Sequence, residues 1–301
     1  MSKRIGLITN PTSDKGRGAA LGAEVTARLE AQGHEVIDLS DETAAGASDR
    51  ALAGIAAGLD VLAVTGGDGT VNLGVNLCAG TETVLAIVAA GTGNDIARAV
   101  GLPLQDASAS AKVISGGVVR AIDAGRHTDA HGVPHWFAGV LGAGFDSVVN
   151  ERANAWGWPR GRMRYNLAIA RELPVFKPIP YVIEIDGIRH ATQAMLVAVG
   201  NGPSYGGGMM VCPDASLDDG LFDVMVLNEI STLEFLKVFP KVFSGKHVGH
   251  PAVQILRGRD VRLEAAGIIS YADGERFAPL PMSCQIVPAA LHVLVPGPDV
   301  A

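Results

Sequence analysis

The sequence has few cysteines and no long apolar run, and each absence argues against a class of protein. Its 301 residues include three cysteines, Cys78, Cys212 and Cys284, without a Cys-x-x-Cys pair. We therefore expect buried thiols in a reducing cytoplasm rather than a disulfide scaffold. No apolar stretch approaches the roughly 20 residues of a membrane-spanning helix, and the first residues lead into a strand-like segment rather than a signal peptide. Any membrane contact is expected to be peripheral.

Two further absences concern charge and phosphate binding. Lys and Arg number 24 against 31 Asp and Glu, a net charge of −7, which argues against a nucleic-acid-binding protein. The common phosphate-binding pattern Gly-x-x-x-x-Gly-Lys-Ser/Thr is missing, because Gly245-Lys246 is followed by His247. A nucleotide would have to be held by another kind of loop.

A loop of a suitable kind lies at residues 65–70. The segment Thr65-Gly66-Gly67-Asp68-Gly69-Thr70 follows the apolar run 61–64, which predicts a buried strand. Three glycines permit a sharp turn and let a ligand approach the backbone closely. A helix predicted after the loop would point free N–H groups at a phosphate. The acid inside the loop, Asp68, favours a magnesium nucleotide over a bare phosphate.

The first 125 residues alternate between strand-like and helix-like segments. The predicted strands are 4–9, 35–39, 61–65 and 83–89, and the predicted helices are 19–32, 48–59, 73–78, 96–100 and 107–115. This alternation predicts a parallel sheet covered on both faces. Because ligands bind outside the carboxyl ends of such strands, the glycine-bearing loops 10–18, 66–70 and 91–95 should converge on one site.

The pattern changes after residue 125. Strands are predicted at 135–141, 181–186, 190–200, 221–227, 253–256, 261–265 and 291–295, with turns such as Asp186-Gly187 and Asp219-Gly220 between them. Only two helices are expected here, at about 163–173 and 231–243. We predict a first domain over 1–125 and a second, mainly antiparallel domain over 126–285.

Four motifs together resemble the diacylglycerol kinase catalytic domain family. They are residues 66–70, Gly91-Thr92-Gly93-Asn94-Asp95, Leu217-Asp218-Asp219-Gly220 and Asp273-Gly274-Glu275. The first alone is shared with NAD kinases and 6-phosphofructokinases. The resemblance covers nearly the whole chain. It implies an α/β plus all-β fold, with an N-terminal three-layer α/β nucleotide-binding domain, a C-terminal antiparallel β-sandwich and an active site in the interdomain cleft. It also implies that residues 286–301 rejoin the first domain.

The resemblance implies a nucleotide site made by three loops. The positions that match are Asn10, Pro11, Thr12, Ser13, Thr65, Gly66, Gly67, Asp68, Gly69, Thr70, Asn72, Gly91, Thr92, Gly93, Asn94 and Asp95. Lys15 and Arg17 could pair with phosphate oxygens. The family often has glycine where this chain has Asp14, so the loop tip differs. The alternative for loop 10–18 is an Asn-Pro turn with solvated charges.

The resemblance also implies the catalytic residues. Glu275 would take the proton from the lipid hydroxyl as it attacks the γ-phosphate, Asp273 would lie near the nucleotide and metal, and Asp68 would hold magnesium through water. Proton abstraction of this kind contributes roughly 10²–10⁴ in rate. An exposed β-turn is the common alternative for an Asp-Gly pair.

A second set of acids is implied to bind magnesium. Asp219 would supply its side chain, and Ser216 and Leu221 their carbonyl oxygens, to a structural magnesium ion away from the chemistry; hard oxygen ligands suit this ion. Asp95 and Asp123 would join Asp68 in the metal network. The alternatives are an acidic hairpin turn and acids at helix ends or turns.

A basic stretch suggests where a lipid surface could bind. Residues 152–177 contain the six cations Arg152, Arg160, Arg162, Arg164, Arg171 and Lys177, one acid, Glu172, and the aromatic residues Trp156, Trp158 and Tyr165. Arginines beside aromatic rings suit the headgroup region of an anionic membrane. The alternatives are a nucleic-acid-binding patch, which nothing else in the sequence supports, and a solvated helix face with buried tryptophans.

The resemblance therefore implies an ATP-dependent lipid kinase that uses Mg²⁺ and most simply converts diacylglycerol to phosphatidic acid. It would work in the cytoplasm, peripherally at the inner face of the membrane, without nucleic acid. The sequence leaves open the lipid alcohol and whether the chain forms a homodimer. The alternatives are an NAD kinase-like phosphotransferase and a non-catalytic nucleotide-binding regulator.

Overall fold

The computed structural model of the chain describes residues 2–11, 13–156, 158 and 162–298. The helices are α1 Arg17–Ala31, α2 Ala44–Ala56, α3 Asp68–Cys78, α4 Asp95–Ala99, α5 Ala107–Gly116, α6 Phe145–Ala155, α7 Arg162–Glu172 and α8 Thr232–Val238. Short 3-10 helices cover Ser13–Gly16, Phe239–Ser244 and Lys246–Gly249. Among the described helices, none is both long and apolar enough to cross a membrane.

The strands are β1 Arg4–Thr9, β2 Glu35–Asp38, β3 Val61–Gly66, β4 Val84–Ala89, β5 Val118–Thr128, β6 Pro134–Phe137, β7 Val140–Gly144, β8 Ile179–Ile185, β9 Ile188–Gly200, β10 Phe222–Asn228, β11 Val253–Gly258, β12 Asp260–Glu264, β13 Ile269–Ala272, β14 Glu275–Pro279 and β15 Met282–Val295.

The N-terminal part is the predicted parallel sheet. Strands β4, β3, β1 and β2 lie side by side and run in the same direction. Every residue of β3 is buried, so both faces of the sheet are covered by helices. The loops after β1, β3 and β4 lie at the same edge, as the alternation of strands and helices predicts.

The C-terminal part is mainly antiparallel and continues the same sheet. Strand β15 joins the two parts, because Met282 to Gln285 pair antiparallel with β12 while His292 and Val293 pair in parallel with β4. This long strand fixes the two parts against each other along one ladder of hydrogen bonds. The predicted combination of an α/β domain with an all-β domain is confirmed.

Several local predictions were wrong; strands β5, β13 and β14 were not expected, and three further differences concern helices. Helix α6 was not expected. It starts directly after Gly144, whose φ of 139° is accessible to glycine but rarely to other residues; this conformation turns the chain out of β7. Helix α3 begins at Asp68, five residues before the predicted start. The helix predicted at 231–243 divides into α8 and a 3-10 helix that has a proline, Pro240, in its first turn, where the missing N–H is tolerated.

Candidate active site

The glycine loops after β3 and β4 pack backbone against backbone. Ala90 N–H donates to the carbonyl of Gly66 at 2.8 Å. A Cβ atom on Gly91 would lie only 2.5 Å from the Cα atom of Gly67, so this approach requires a residue without a side chain. Asn10 connects the third loop to the loop after β3. Its backbone N–H donates to the Thr65 carbonyl at 2.9 Å, and its side-chain amide donates to the Thr70 hydroxyl at 3.3 Å.

Asp68 holds the second glycine loop in place. Its carboxylate accepts the backbone N–H of Asn94 at 3.0 Å and of Asp95 at 2.9 Å. Burial raises the pKa of Asp68, and the nearby Asp95 carboxylate adds to the rise. A divalent cation beside Asp68 would favour its ionised form. Its position at the start of α3 is therefore compatible with the predicted water-mediated magnesium contact.

Glu275 lies beside the N-terminal end of α3, and both line an open cleft of about 810 Å³. The predicted residues that line this cleft are Asn10, Pro11, Ser13, Gly67, Gly69, Thr70, Asn72 and Glu275. The Glu275 carboxylate lies so close to Gly69 that an added Cβ would collide with Oε1. Desolvation against this helix end raises the pKa of Glu275, which is the direction that makes a carboxylate a better base near neutral pH.

A tight turn positions Glu275. Asp273 and Gly274 have φ angles of 49° and 87°, the left-handed pair that a two-residue hairpin requires and that Asp-Gly favours. This turn joins β13 to β14 and sends the next residue toward α3. The orientation of Glu275 thus follows from local turn chemistry.

Asp273 lies in a different environment from Glu275. It is buried, and its carboxylate accepts the backbone N–H groups of Ala138, Gly139 and Val140 at 2.9–3.1 Å. Burial raises the pKa of Asp273 to about 6, and these hydrogen bonds oppose the rise. In this structure the side chain fixes the chain between β6 and β7; its contact with Asn72 links it to α3.

Asp95 connects the two domains. Its carboxylate accepts hydrogen bonds from the Ser204 hydroxyl at 3.1 Å, from Gly207 N–H at 2.7 Å and from Gly208 N–H at 2.8 Å. Three consecutive glycines, 206–208, all have positive φ angles, and the amides of the last two reach this one acceptor. This loop of the second domain was missed, although a run of three glycines beside a strand signals such a backbone cradle.

The remaining residues of loop 91–95 have distinct roles. The Asn94 side chain is buried and bonds both the N–H and the carbonyl of Gly91, so it shapes the loop. Thr92 is exposed and Gly93 partly exposed. Thr65 and Gly66 are buried at the end of β3, behind the cleft.

Asp123 and the predicted second metal site lie together. Asp123 is buried and accepts Gly220 N–H at 2.7 Å and Ala289 N–H at 2.8 Å, so it clamps the loop that contains Ser216, Asp219 and Leu221 against β15. The backbone N–H of Leu221 donates to Asp219 at 3.1 Å.

The oxygen atoms around Asp219 do not form a magnesium site in this arrangement of the side chains. The Arg257 guanidinium pairs with the Asp219 carboxylate through Nη2 and with buried Asp223 through Nε at 2.6 Å. A protein cation thus already neutralises Asp219, and a metal would have to displace it. Among the described residues, no group of three or more His, Cys, Asp or Glu side chains could hold a metal ion.

The polar face of α3 makes a contact that sequence reasoning missed. The Asn76 amide donates to the Trp136 carbonyl at 3.0 Å and accepts the Trp136 N–H at 2.8 Å. Asn72 and Asn76 lie one turn apart and are joined by a hydrogen bond of 3.2 Å. Two asparagines four residues apart on one helix face are the available signal. They fix α3 to the second domain beside the cleft.

A narrow apolar cavity of about 50 Å³ lies in the second domain. Its wall contains Phe145, Ile169, Leu196, Met209, Val211, Met225, Leu227, Phe235, Val238, Phe239, Val242 and Val253. The polar groups on it include Asp146 and Tyr205, whose hydroxyl donates to Asp146 Oδ2 at 2.9 Å. Burial raises the pKa of Asp146 to about 6. Since Tyr205 belongs to the loop held by Asp95, this cavity adjoins that loop, which in turn contacts loop 91–95.

Only part of the predicted basic stretch can be located. Within it, Arg160 and the side chains of Arg162, Arg164 and Tyr165 lie outside the described residues. Thr12 and the Lys15 side chain of loop 10–18 lie outside them as well. Arg152 is paired with Glu172 at 2.6 Å. Arg171 and Lys177 are exposed, and 82% of Trp158 is exposed, while Trp156 is partly buried.

Comparison with known proteins agrees with this architecture. Residues 4–127 match the diacylglycerol kinase catalytic domain, and residues 139–295 match the YegS C-terminal NAD kinase beta sandwich-like domain. The diacylglycerol kinase of Mycobacterium tuberculosis is 40% identical over 294 residues, 97% of this chain and 95% of the relative. The diacylglycerol kinase of Bacillus subtilis is 29% identical over 298 residues, 98% and 97% of the two chains.

Solved structures share the fold. An Archaeoglobus fulgidus NAD kinase in complex with ATP has a TM-score of 0.53 at 11% identity, over 97% of this chain and 92% of that one. A diacylglycerol kinase structure from Bacillus anthracis str. Sterne has a TM-score of 0.72 at 21% identity, over 99% and 98% of the two chains. From its matched domains and its relatives, this chain belongs to the diacylglycerol kinase family.

Proposed function

We propose that this kinase transfers the γ-phosphate of ATP, bound as its magnesium complex, to the hydroxyl group of a lipid alcohol. Diacylglycerol, which would give phosphatidic acid, is the acceptor that the relatives favour. The single observation that carries the proposal is the carboxylate of Glu275 against Gly69, at the start of the helix that follows the first glycine loop.

The proposed reaction needs the phosphates held and one proton removed. The N-terminal end of α3 and the adjoining glycine loops would bind the triphosphate, because a helix N-terminus attracts anions. The acceptor hydroxyl oxygen forms a bond to the γ-phosphorus while the bond to the β-phosphate oxygen breaks, and ADP leaves. Glu275 accepts the hydroxyl proton. Asp68 remains the proposed magnesium contact through water. Asp95 and Asp123 bond mainly to backbone amides, so they would have to give up these bonds to join a metal network.

The apolar cavity favours a lipid over a dinucleotide acceptor. Aliphatic and aromatic side chains make up nearly all of its wall, and such a surface binds acyl chains rather than a charged dinucleotide. Its present volume of about 50 Å³ is too small for a whole chain. Met209 and Met225 in the wall are flexible enough to widen it. We place the site of action in the cytoplasm, peripherally at the inner face of the membrane.

The test is to incubate the protein with γ-labelled ATP and Mg²⁺, supplying diacylglycerol, sphingosine, ceramide or NAD in turn. Label in phosphatidic acid is expected, and the Glu275→Gln variant should lower turnover at least roughly a hundredfold with similar ATP affinity. Label in NADP alone would favour the NAD kinase alternative. ATP binding without any labelled product would favour a non-catalytic regulator.

A further inference from the structure

The wall of the cavity nearest the solvent is a helical segment with two apolar faces. We name this segment the helical cap; it consists of α8 and the 3-10 helix Phe239–Ser244. Phe235, Val238 and Val242 are buried and line the cavity. On the outside, Leu233 is 73% exposed and Leu236 and Phe243 are each 54% exposed. The inner apolar face of such a helix packs on the protein core. An exposed apolar face on its other side indicates a second apolar surface that it contacts.

The charges on the helical cap favour an anionic environment. Lys237, Lys241 and the following Lys246 are exposed and alternate with the outer apolar side chains. The one acid in this segment, Glu234, lies 3.3 Å from the His250 ring. Three lysines against one acid stand out in a protein of net charge −7. Lysines flanking exposed leucine and phenylalanine side chains are typical of segments that lie in an anionic lipid interface.

Ring contacts connect this outer surface to the inside of the cavity. Phe145 packs on Phe235 at 5.1 Å between ring centroids, Phe235 on Phe239 at 5.6 Å, and Phe239 on exposed Phe243 at 6.2 Å. This row of rings thus runs from the cavity wall at Phe235 to the solvent-facing surface at Phe243. A lipid entering the cavity from a bilayer would cross this short distance without passing through water.

We propose that the outer face of the helical cap, through Leu233, Leu236 and Phe243 with the flanking lysines, docks on an anionic bilayer. This inference rests on the proposed function, since it explains how a lipid acceptor reaches the cavity. It adds a docking surface from a different segment of the chain than the basic stretch at 152–177. The apolar side chains enter the interface between headgroups and acyl chains, and the lysines contact anionic headgroups.

The test is sedimentation with vesicles of 30% phosphatidylglycerol and 70% phosphatidylcholine, and with pure phosphatidylcholine. The double variant Leu236→Glu/Phe243→Glu should lower binding to the anionic vesicles at least about tenfold, because charged side chains do not enter the interface. The matched control is Ile188→Glu, at a position 64% exposed at the β8–β9 hairpin, which should bind like the wild type. A second variant, Lys237→Glu/Lys241→Glu, should weaken anionic binding without touching the apolar contacts.

Three results would overturn the proposal. The first is that the wild-type protein binds neither kind of vesicle. The second is that the double variants bind as well as the wild type does. The third is that the wild type forms a dimer in analytical ultracentrifugation and that Leu236→Glu/Phe243→Glu dissociates this dimer. The last would identify this face as an interface between two copies. Phosphorylation of a water-soluble, short-chain diacylglycerol separates the two proposals. That activity should persist in folded cap variants, and its absence in the wild type would instead contradict the proposed function.

Discussion

Replacing Gly69 by alanine should disable the kinase without weakening its fold. Gly69 lies in the first turn of α3, and a Cβ there meets no atom within 4 Å except in the carboxyl group of Glu275. To restore an ordinary contact of at least 3.4 Å, Glu275 Oε1 must retreat by about 1 Å. The backbone at Gly69 does not adopt a positive φ, so alanine is compatible with the local conformation.

The size of the effect follows from this displacement. A misplacement of about 1 Å in a catalytic group costs roughly a hundredfold in rate, which corresponds to about 2.7 kcal/mol in the activation free energy. Alanine should meanwhile stabilise the helix by up to about 0.5–1 kcal/mol relative to glycine. Activity and stability should therefore change in opposite directions.

The assay is the rate of labelled phosphatidic acid formation, measured with the free energy of unfolding in urea. Gly249→Ala is the matched control, because a Cβ at Gly249 meets nothing within 4 Å. Combining Gly69→Ala with Glu275→Gln tests the cause. If displacement of Glu275 is responsible, Gly69→Ala should cost little further in the Glu275→Gln background. A full hundredfold loss in that background would refute the reasoning, as would wild-type turnover in Gly69→Ala alone.

Three other predictions concern buried or desolvated acids. Asp273→Ala leaves three buried N–H groups without their acceptor and should lower the free energy of unfolding by at least about 3 kcal/mol. The control Asp218→Ala, at an exposed ion pair, should change the free energy of unfolding by less than about 1 kcal/mol. Since the base must be ionised and the pKa of Glu275 is raised, turnover should fall as pH falls through that raised pKa; a pH–rate profile flat to pH 4 would contradict this role. The folded-state pKa of Asp146 is about 6, above its unfolded value, so its contribution to stability is full below the unfolded pKa and is lost as pH rises through about 6. Between pH 5 and 8 the wild type should therefore lose about 1.4 kcal/mol more than Asp146→Asn in urea unfolding, and equal losses would contradict the assignment.

Much of the site could be predicted because its parts depend on short segments of chain. The strand before residue 65 and the glycines after it determine where a loop with exposed amides occurs. The Asp273-Gly274 pair determines a two-residue turn, and that turn aims Glu275. These features follow from backbone preferences over a few residues.

The roles of the other acids could not be predicted in the same way. Asp95, Asp123 and Asp273 occupy positions that resemble metal or nucleotide ligands, yet their carboxylates bond to backbone amides from distant parts of the chain. Arg257, 38 residues after Asp219, pairs with it only because β10 and β11 are neighbours. A motif specifies an acid but not the donors that folding brings to it.

The sequence by itself determined the order of strands and helices up to residue 116, the glycine loops at the carboxyl edge and the turn that carries Glu275, because each depends on local conformational preference. Only the tertiary structure decided that Glu275 faces Gly69, that three other acids serve as backbone clamps, and that the helical cap separates an apolar cavity from an exposed apolar surface. Burial and hydrogen-bond partners depend on segments far apart in the chain, so the fold decides what each of these side chains contacts.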